Sequence, residues 1–259
     1  MELFKNLYTY RELLKTNIKK EIRGKYKGSF LGVLWSFVNP LLQILVYAIV
    51  FPYIMRNTVD NYLIFLVVGI IPWTFFTTCI NQGIASVRAN AGIIKKVYFP
   101  REILPISVVL SGLVNFFISC IIIFIFVIFG GFGISWHVVF LPVIAMLQAM
   151  LILGLDFALS SINVYIKDTE YLVQFILNML FYGTPILYDT SQFNAGGIIS
   201  ILFKINPLTT IVESYRSIFI YHQLPNFNML LYVFIVSFVV LVIGYMIFKK
   251  LERNFAEEI

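Results

Sequence analysis

Long apolar runs alternate with short polar connections along this chain. Six runs stand out: Phe30 to Met55, Tyr62 to Val87, Leu104 to Phe129, His137 to Tyr165, Tyr171 to Tyr188 and Met229 to Phe248. A bilayer core of about 30 Å needs about 20 predominantly apolar helical residues per crossing, so each run is expected to span. Helices are expected because backbone polar groups in lipid must be satisfied within the segment, and the runs lack the two-residue alternation of barrel strands. The expected fold is an all-α integral membrane protein of six spans, a single transmembrane domain over residues 1–259.

Three segments depart from plain spans. Residues 1–29 place Leu3, Leu7, Leu14, Ile18, Ile22 and Tyr26 at three- to four-residue steps, with Lys15, Lys19, Lys20, Arg23 and Lys27 elsewhere around the helix. That pattern predicts a basic amphipathic helix in the headgroup layer, against the plainer alternative of a solvated basic tail. Gly28 and Gly32 have GxxxG spacing, a weak sign of close packing. Residues 189–228 hold AGGIISILFKI, then Asn206-Pro207, then LTTIVESYRSIFIY. Each piece is too short to cross, which predicts a re-entrant helix pair divided where proline starts the second helix. The pair either lines an exit path or caps the surface, and Glu213 and Arg216 are spaced for an exposed ion pair under both readings.

The loop 88–103 mixes charge with grease: Asn90, Lys95, Lys96, Arg101 and Glu102 interleave with Ile93, Ile94, Val97, Tyr98 and Phe99, before and after Pro100. A short helix ending ahead of the proline is expected. Its apolar ridge and basic flanks suit a groove on a soluble partner or the lipid headgroups, and pattern alone leaves both open.

Composition and charge fit a membrane setting. Hydrophobic residues make up 60% and charged residues 12% of the 259, far from the roughly 25% charged of a soluble domain. Of 19 Lys and Arg, eight lie in the N-terminal segment, four in the loop from Arg88, one at Lys167 and three in the tail, leaving Arg56, Lys204 and Arg216 on the other side. The positive-inside bias therefore puts both termini in the cytoplasm. The net charge of +6 needs no nucleic-acid partner. Cys79 and Cys120 fall inside apolar runs, so neither a disulfide framework nor a cysteine metal site is expected.

Candidate chemistry is sparse. The chain has no GxxxxGK[ST] phosphate loop and is not expected to bind ATP itself. His137 and His222 stand isolated near the outer boundary. Asp156, beside Ser160, Ser161 and Asn163, is the acidic residue well inside a span; a helix-packing hydrogen bond and a proton relay or substrate contact are equally open. Trp73 and Phe76 follow Pro72, and Phe181, Tyr182 and Tyr188 gather at the outer end of the fifth run. These aromatics either anchor at the lipid interface or line a tunnel whose ring faces and hydroxyls hold a sugar polymer.

Three stretches, KYKGSFLGVLWSFVNPLLQ (Lys25 to Gln43), NAGIIKKVYFPREILPIS (Asn90 to Ser107) and NVYIKDTEYLVQFILNMLFYGTPILY (Asn163 to Tyr188), together resemble the permease subunit of type-2 ABC exporters of lipid-linked polysaccharide, which serve O-antigen, capsule or teichoic acid export. The resemblance implies a homodimer in a bacterial cytoplasmic membrane, carried on two copies of a cytoplasmic ABC ATPase that holds the ATP and Mg, with no cofactor on this chain. It further implies that Asn90 to Glu102 form the coupling element seated in the ATPase, that the pieces around Asn206-Pro207 are exoplasmic gate helices, and that a polyprenyl-diphosphate-linked glycan is the substrate. Lys25, Tyr26 and Lys27 would stand at the cytoplasmic mouth, where the lysines attract diphosphate or simply enforce topology. Trp73, Phe76, Asp156, Phe181, Tyr182, Tyr188, Asn206, Pro207, Glu213 and Arg216 would line the channel or gate. A drug or ion exporter on the same scaffold, and a multispanning glycan-modifying enzyme, are the competing readings.

Overall fold

A computed structural model describes residues 2–24, 30, 32–55, 61–189 and 197–258. Among these, every regular element is a helix. The amphipathic stripe at the N-terminus breaks at Tyr10 into α1 (Glu2–Thr9) and α2 (Arg11–Gly24). Beyond them α3 (Trp35–Met55) and α4 (Tyr62–Ala89) form a first pair of long helices. A single turn, α5 (Ala91–Ile94), leads into α6 (Ile103–Phe129), and a 3₁₀ segment at Trp136–Phe140 opens α7 (Leu141–Tyr165). Next come α8 (Thr169–Tyr182), α9 (Ile198–Ile205) and α10 (Pro207–Phe219). The chain closes with α11 (Phe227–Leu251) and α12 (Phe255–Glu258).

Among the described residues, four helical stretches are long and apolar enough to cross a membrane: Tyr62–Ile94, Ile103–Phe129, Trp136–Tyr165 and Phe227–Asn254. The α3 helix has 21 residues. The expected fifth run behaves differently, because its helix stops at Tyr182 after 14 residues. That is about 21 Å of rise, short of a bilayer core. The cause is local: Pro185 disfavours helix at Thr184, and the chain turns through 183–188 instead of continuing.

The α4 helix is the centre of the bundle, with most of its residues buried, whereas the outward flank of α11 carries exposed Leu231, Phe234, Ile235, Phe238 and Val242. Small residues set the crossings. A Cβ added at Gly112 of α6 would strike the Cys79 thiol of α4, and one at Gly244 of α11 would strike the Gly154 carbonyl of α7. Such backbone approaches are what small residues permit between membrane helices. Of the Gly28/Gly32 pair, Gly28 lies outside the described residues, and Gly32 has open space around it.

The two ends of the bundle are built differently. At one end, Val87, Ile94, Phe99, Leu104, Phe157, Phe248 and Phe255 form a separate core, against which Leu7, Tyr10, Leu13 and Leu14 pack. The stripe of α1 and α2 is thus turned partly onto protein, where a headgroup bed was expected, and α1 and α12 gather at one end. At the other end α10 dips inward, its Tyr215 ring lying 5.7 Å from Phe116, midway along α6. Tyr215 donates to Gln148 Oε1 at 3.1 Å, and Gln148 Nε2 donates to the Pro72 carbonyl at 2.8 Å. One polar chain therefore ties α10, α7 and α4 together inside the apolar core.

Candidate functional site

Three helices each bring polar or aromatic groups to one cavity at successive turns. Gln43 and Tyr47 come from α3, Trp73, Thr77 and Asn81 from α4, and Gln174, Asn178, Phe181 and Tyr182 from α8. Residues four apart share a helix face, so each helix offers a stripe to a space of about 510 Å³. The aromatic rings cluster in one part of it: Phe181 lies 5.6 Å from both Tyr47 and Trp73, and 5.4 Å from Tyr182. Trp73 and Phe181 are buried, while Tyr182, Asn81, Gln174 and Asn178 are exposed along the open side. Among the described residues, no carboxylate, histidine or cysteine lines this space.

Of the aromatic residues singled out by sequence, Trp73, Phe181 and Tyr182 meet here. Phe76 does not; it is 2% exposed and belongs to the central core. Tyr188 lies beyond the end of α8, donating to the Tyr182 carbonyl at 2.5 Å with its ring 5.8 Å from Phe203 of α9. Asp156 is fully buried against α4, its carboxyl filling the space where Gly83 lacks a side chain, and it is not among the residues lining the cavity. Neither carboxyl oxygen has a hydrogen-bond partner in the described structure, so the helix-packing hydrogen bond is not formed.

The turn between α4 and α6 has two faces. Ile94, Phe99 and Glu102 are buried, whereas Ile93, Lys95, Lys96, Val97 and Tyr98 are exposed, Tyr98 at 91%. Pro100 and Arg101 are half-buried. Asn90 caps the change of direction: its Nδ2 donates to the Ser86 carbonyl at 2.8 Å and its Oδ1 accepts from Lys20 Nζ at 2.8 Å. Glu102, with no exposed surface, accepts from Asn6 Nδ2 at 3.0 Å and Lys249 Nζ at 2.8 Å. Lys249 also donates to Glu252 at 2.7 Å, and Arg101 donates to the Glu252 carbonyl. The turn is thereby bolted to α1, α2 and α11, leaving one ridge outward. Lys25, Tyr26 and Lys27 lie outside the described residues.

At the opposite end, Asn206 and Pro207 act as N-cap and first residue of α10. Asn206 Oδ1 accepts from the Leu208 N–H at 3.0 Å, and its Nδ2 donates to Thr184 Oγ1 at 3.0 Å and the Gly183 carbonyl at 3.1 Å. Arg216 overturns the exposed ion pair expected from sequence, because it is only 3% exposed. It donates to the Pro185 and Ile186 carbonyls at 2.6 and 2.9 Å, with its guanidinium 3.4 Å over the Phe65 ring. The inward dip of α10 causes this burial. Glu213 is half-buried on the same helix, its carbonyl accepting from Ser217 Oγ at 2.9 Å.

Gln43, Tyr47, Thr77, Asn81, Gln174 and Asn178 were not singled out from sequence. Their signal was available: uncharged polar residues paired four apart inside three apolar runs.

A helical bundle with membrane-length helices, and between them a cavity lined by amides, hydroxyls and rings, defines a polytopic membrane protein. The chain belongs to the ABC-2 type transporter family, whose profile matches residues 12–220. It is 36% identical to the O-antigen export system permease protein RfbA of Myxococcus xanthus over 259 residues, covering all of both chains. It is 34% identical to the protein of the same name from Klebsiella pneumoniae, over 97% of this chain and 96% of that one. A shorter likeness, 29% over 94 residues, joins it to the polysialic acid transport protein KpsM of Escherichia coli, over 36% of this chain and 35% of that one.

Proposed function

We propose that this chain is the membrane subunit of an ATP-driven exporter that moves a polyprenyl-diphosphate-linked glycan of the O-antigen kind across the bacterial cytoplasmic membrane. The cavity between α3, α4 and α8 carries this reading. Its amides and hydroxyls match the hydroxyls of a sugar chain, its rings match the apolar faces, and without fixed charge it holds neither end of a neutral polymer too tightly to release. Full-length likeness to two O-antigen export permeases supports the same substrate class.

Two copies of the chain would face each other across the open side of the cavity, where Asn81, Gln174 and Asn178 are exposed, to enclose a path. With α1 and α12 at one end of the bundle, this reading takes α3, and α8 with the turn after it, as crossings beside the four longest helices, six in all. The Lys and Arg bias puts that end in the cytoplasm. There the ridge of Ile93, Val97 and Tyr98, flanked by Lys95 and Lys96, docks on a separate ATPase that holds ATP and Mg. The α9 and α10 pair gates the exoplasmic side.

The test is to tag the full chain, extract it gently from its native membrane and identify stoichiometric partners, beside a Val97→Glu variant. A P-loop ATPase in equal amount, lost with the variant, is the expected result. A folded chain carrying no ATPase would remove the energy source and with it the export reading.

A further inference from the structure

The stripes that line the cavity continue toward the terminal end of the bundle and there become charged. On α8, Glu170 stands one turn before Gln174; on α4, Arg88 stands two turns beyond Asn81, on the same side of the helix. These two residues meet, Arg88 Nη1 lying 3.5 Å from Glu170 Oε1, with side chains 33% and 44% exposed. Glu170 is held in place by a second bond: Asn163 Nδ2 donates to the same Oε1 at 2.7 Å and to the Ile84 carbonyl at 3.1 Å. Asn163 is itself fully buried, so the carboxylate is fixed to the bundle, while the arginine reaches it from a part-exposed position.

We infer that Arg88 is a diphosphate-binding residue at the cytoplasmic mouth of the cavity, and that Glu170 is the counter-ion holding it in reserve. This rests on the export reading above. A long, part-exposed ion pair contributes little, whereas a guanidinium takes phosphate oxygens through two parallel charge-assisted bonds. A diphosphate therefore displaces the carboxylate, and the mouth opens as the ligand arrives. Arg88 and Glu170 flank the stripes at the point where the uncharged lining ends, so the charged head of a lipid carrier is held there while its neutral glycan lies along the amides and rings. Positive-inside topology accounts for a cation at this end of α4; it does not account for a partner carboxylate fixed by a buried amide.

The experiment uses the complete permease and ATPase complex in phosphatidylcholine nanodiscs, titrated with a long-chain polyprenyl diphosphate and read by native mass spectrometry. Arg88→Gln is expected to weaken binding about tenfold and Arg88→Lys less, because a point charge replaces a fork. Glu170→Gln is expected to tighten binding by about threefold as the competing charge is lost. Phosphatidylglycerol at equal mole fraction leaves the diphosphate bound. The swapped double variant Arg88→Glu/Glu170→Arg separates binding from scaffolding: it restores an ion pair in reversed order, and binding is expected to stay below wild type. Unchanged binding in Arg88→Gln, weaker binding in Glu170→Gln, full recovery in the swap, or displacement by phosphatidylglycerol would each overturn the inference. Failure of the wild-type complex to bind the diphosphate lipid at all would instead count against the export reading.

Discussion

Tyr98 and Phe99 are neighbours in sequence that point in opposite directions, the first 91% exposed and the second 6% exposed in the terminal-end core. Their substitutions should fail in different ways. Phe99→Ala removes a core ring and is expected to cost about 3–5 kcal/mol, seen as a lower unfolding temperature in detergent. Tyr98→Ala should leave unfolding unchanged and weaken ATPase association on the order of tenfold, because exposed aromatic anchors carry much of an interface. Equal loss of stability in both variants would contradict the two-faced turn.

Glu102 depends on Lys249, its cationic partner at 2.8 Å, because the carboxylate has no access to water. Lys249→Met should cost about 3 kcal/mol by leaving a buried charge uncompensated. Adding Glu102→Gln should recover part of that loss, since a neutral amide needs no counter-ion. Thermal unfolding of the two single variants and the double variant makes the measurement, and additive losses would show that the residues are not coupled.

Gly83 and Asp156 fit by size. A methyl group at Gly83 would occupy the position of the Asp156 carboxyl, so Gly83→Ala is expected to cost about 1–3 kcal/mol as overpacking. Asp156→Ser should rescue it, because the shorter side chain vacates the space. A proton-relay role predicts otherwise: Asp156→Asn would abolish transport while folding remained intact.

Arg216 holds the 183–188 turn through two backbone carbonyls. Arg216→Met preserves volume but strands both acceptors, at about 1–3 kcal/mol for each one left buried. Arg216→Lys should lose less, since one ammonium can still reach a carbonyl. Hydrogen exchange across 183–188 is the direct measurement, with faster exchange expected in Arg216→Met.

The apolar runs reveal the helices because lipid leaves backbone polar groups no partner except the helix itself. The same pressure hides how those helices use their faces, since outward and inward positions are alike apolar. Thus Trp73 and Phe76, three apart and both aromatic, look equivalent in sequence, yet one lines the cavity and the other fills the core. The uncharged polar pairs of α4 (Thr77, Asn81) and α8 (Gln174, Asn178) break that symmetry and were the more informative residues. Arg216 was misplaced for a different reason: its surroundings are set by Phe65, Pro185 and Ile186, all far from it in sequence. The divided faces of Tyr98 and Phe99 likewise depend on a core assembled from both ends of the chain.

The shortness of α8 has a mechanical consequence. Its first turn is pinned through Glu170 to the buried Asn163 of α7, and the turn after its last residue is clasped by Asn206 and Arg216. A stiff rod of about 21 Å fastened at both tips cannot stretch, so a push at one tip arrives at the other with its stroke undiminished. Under the export reading, the mouth beside Glu170 and the gate beside Asn206 would therefore move together as the two ends of one pushrod.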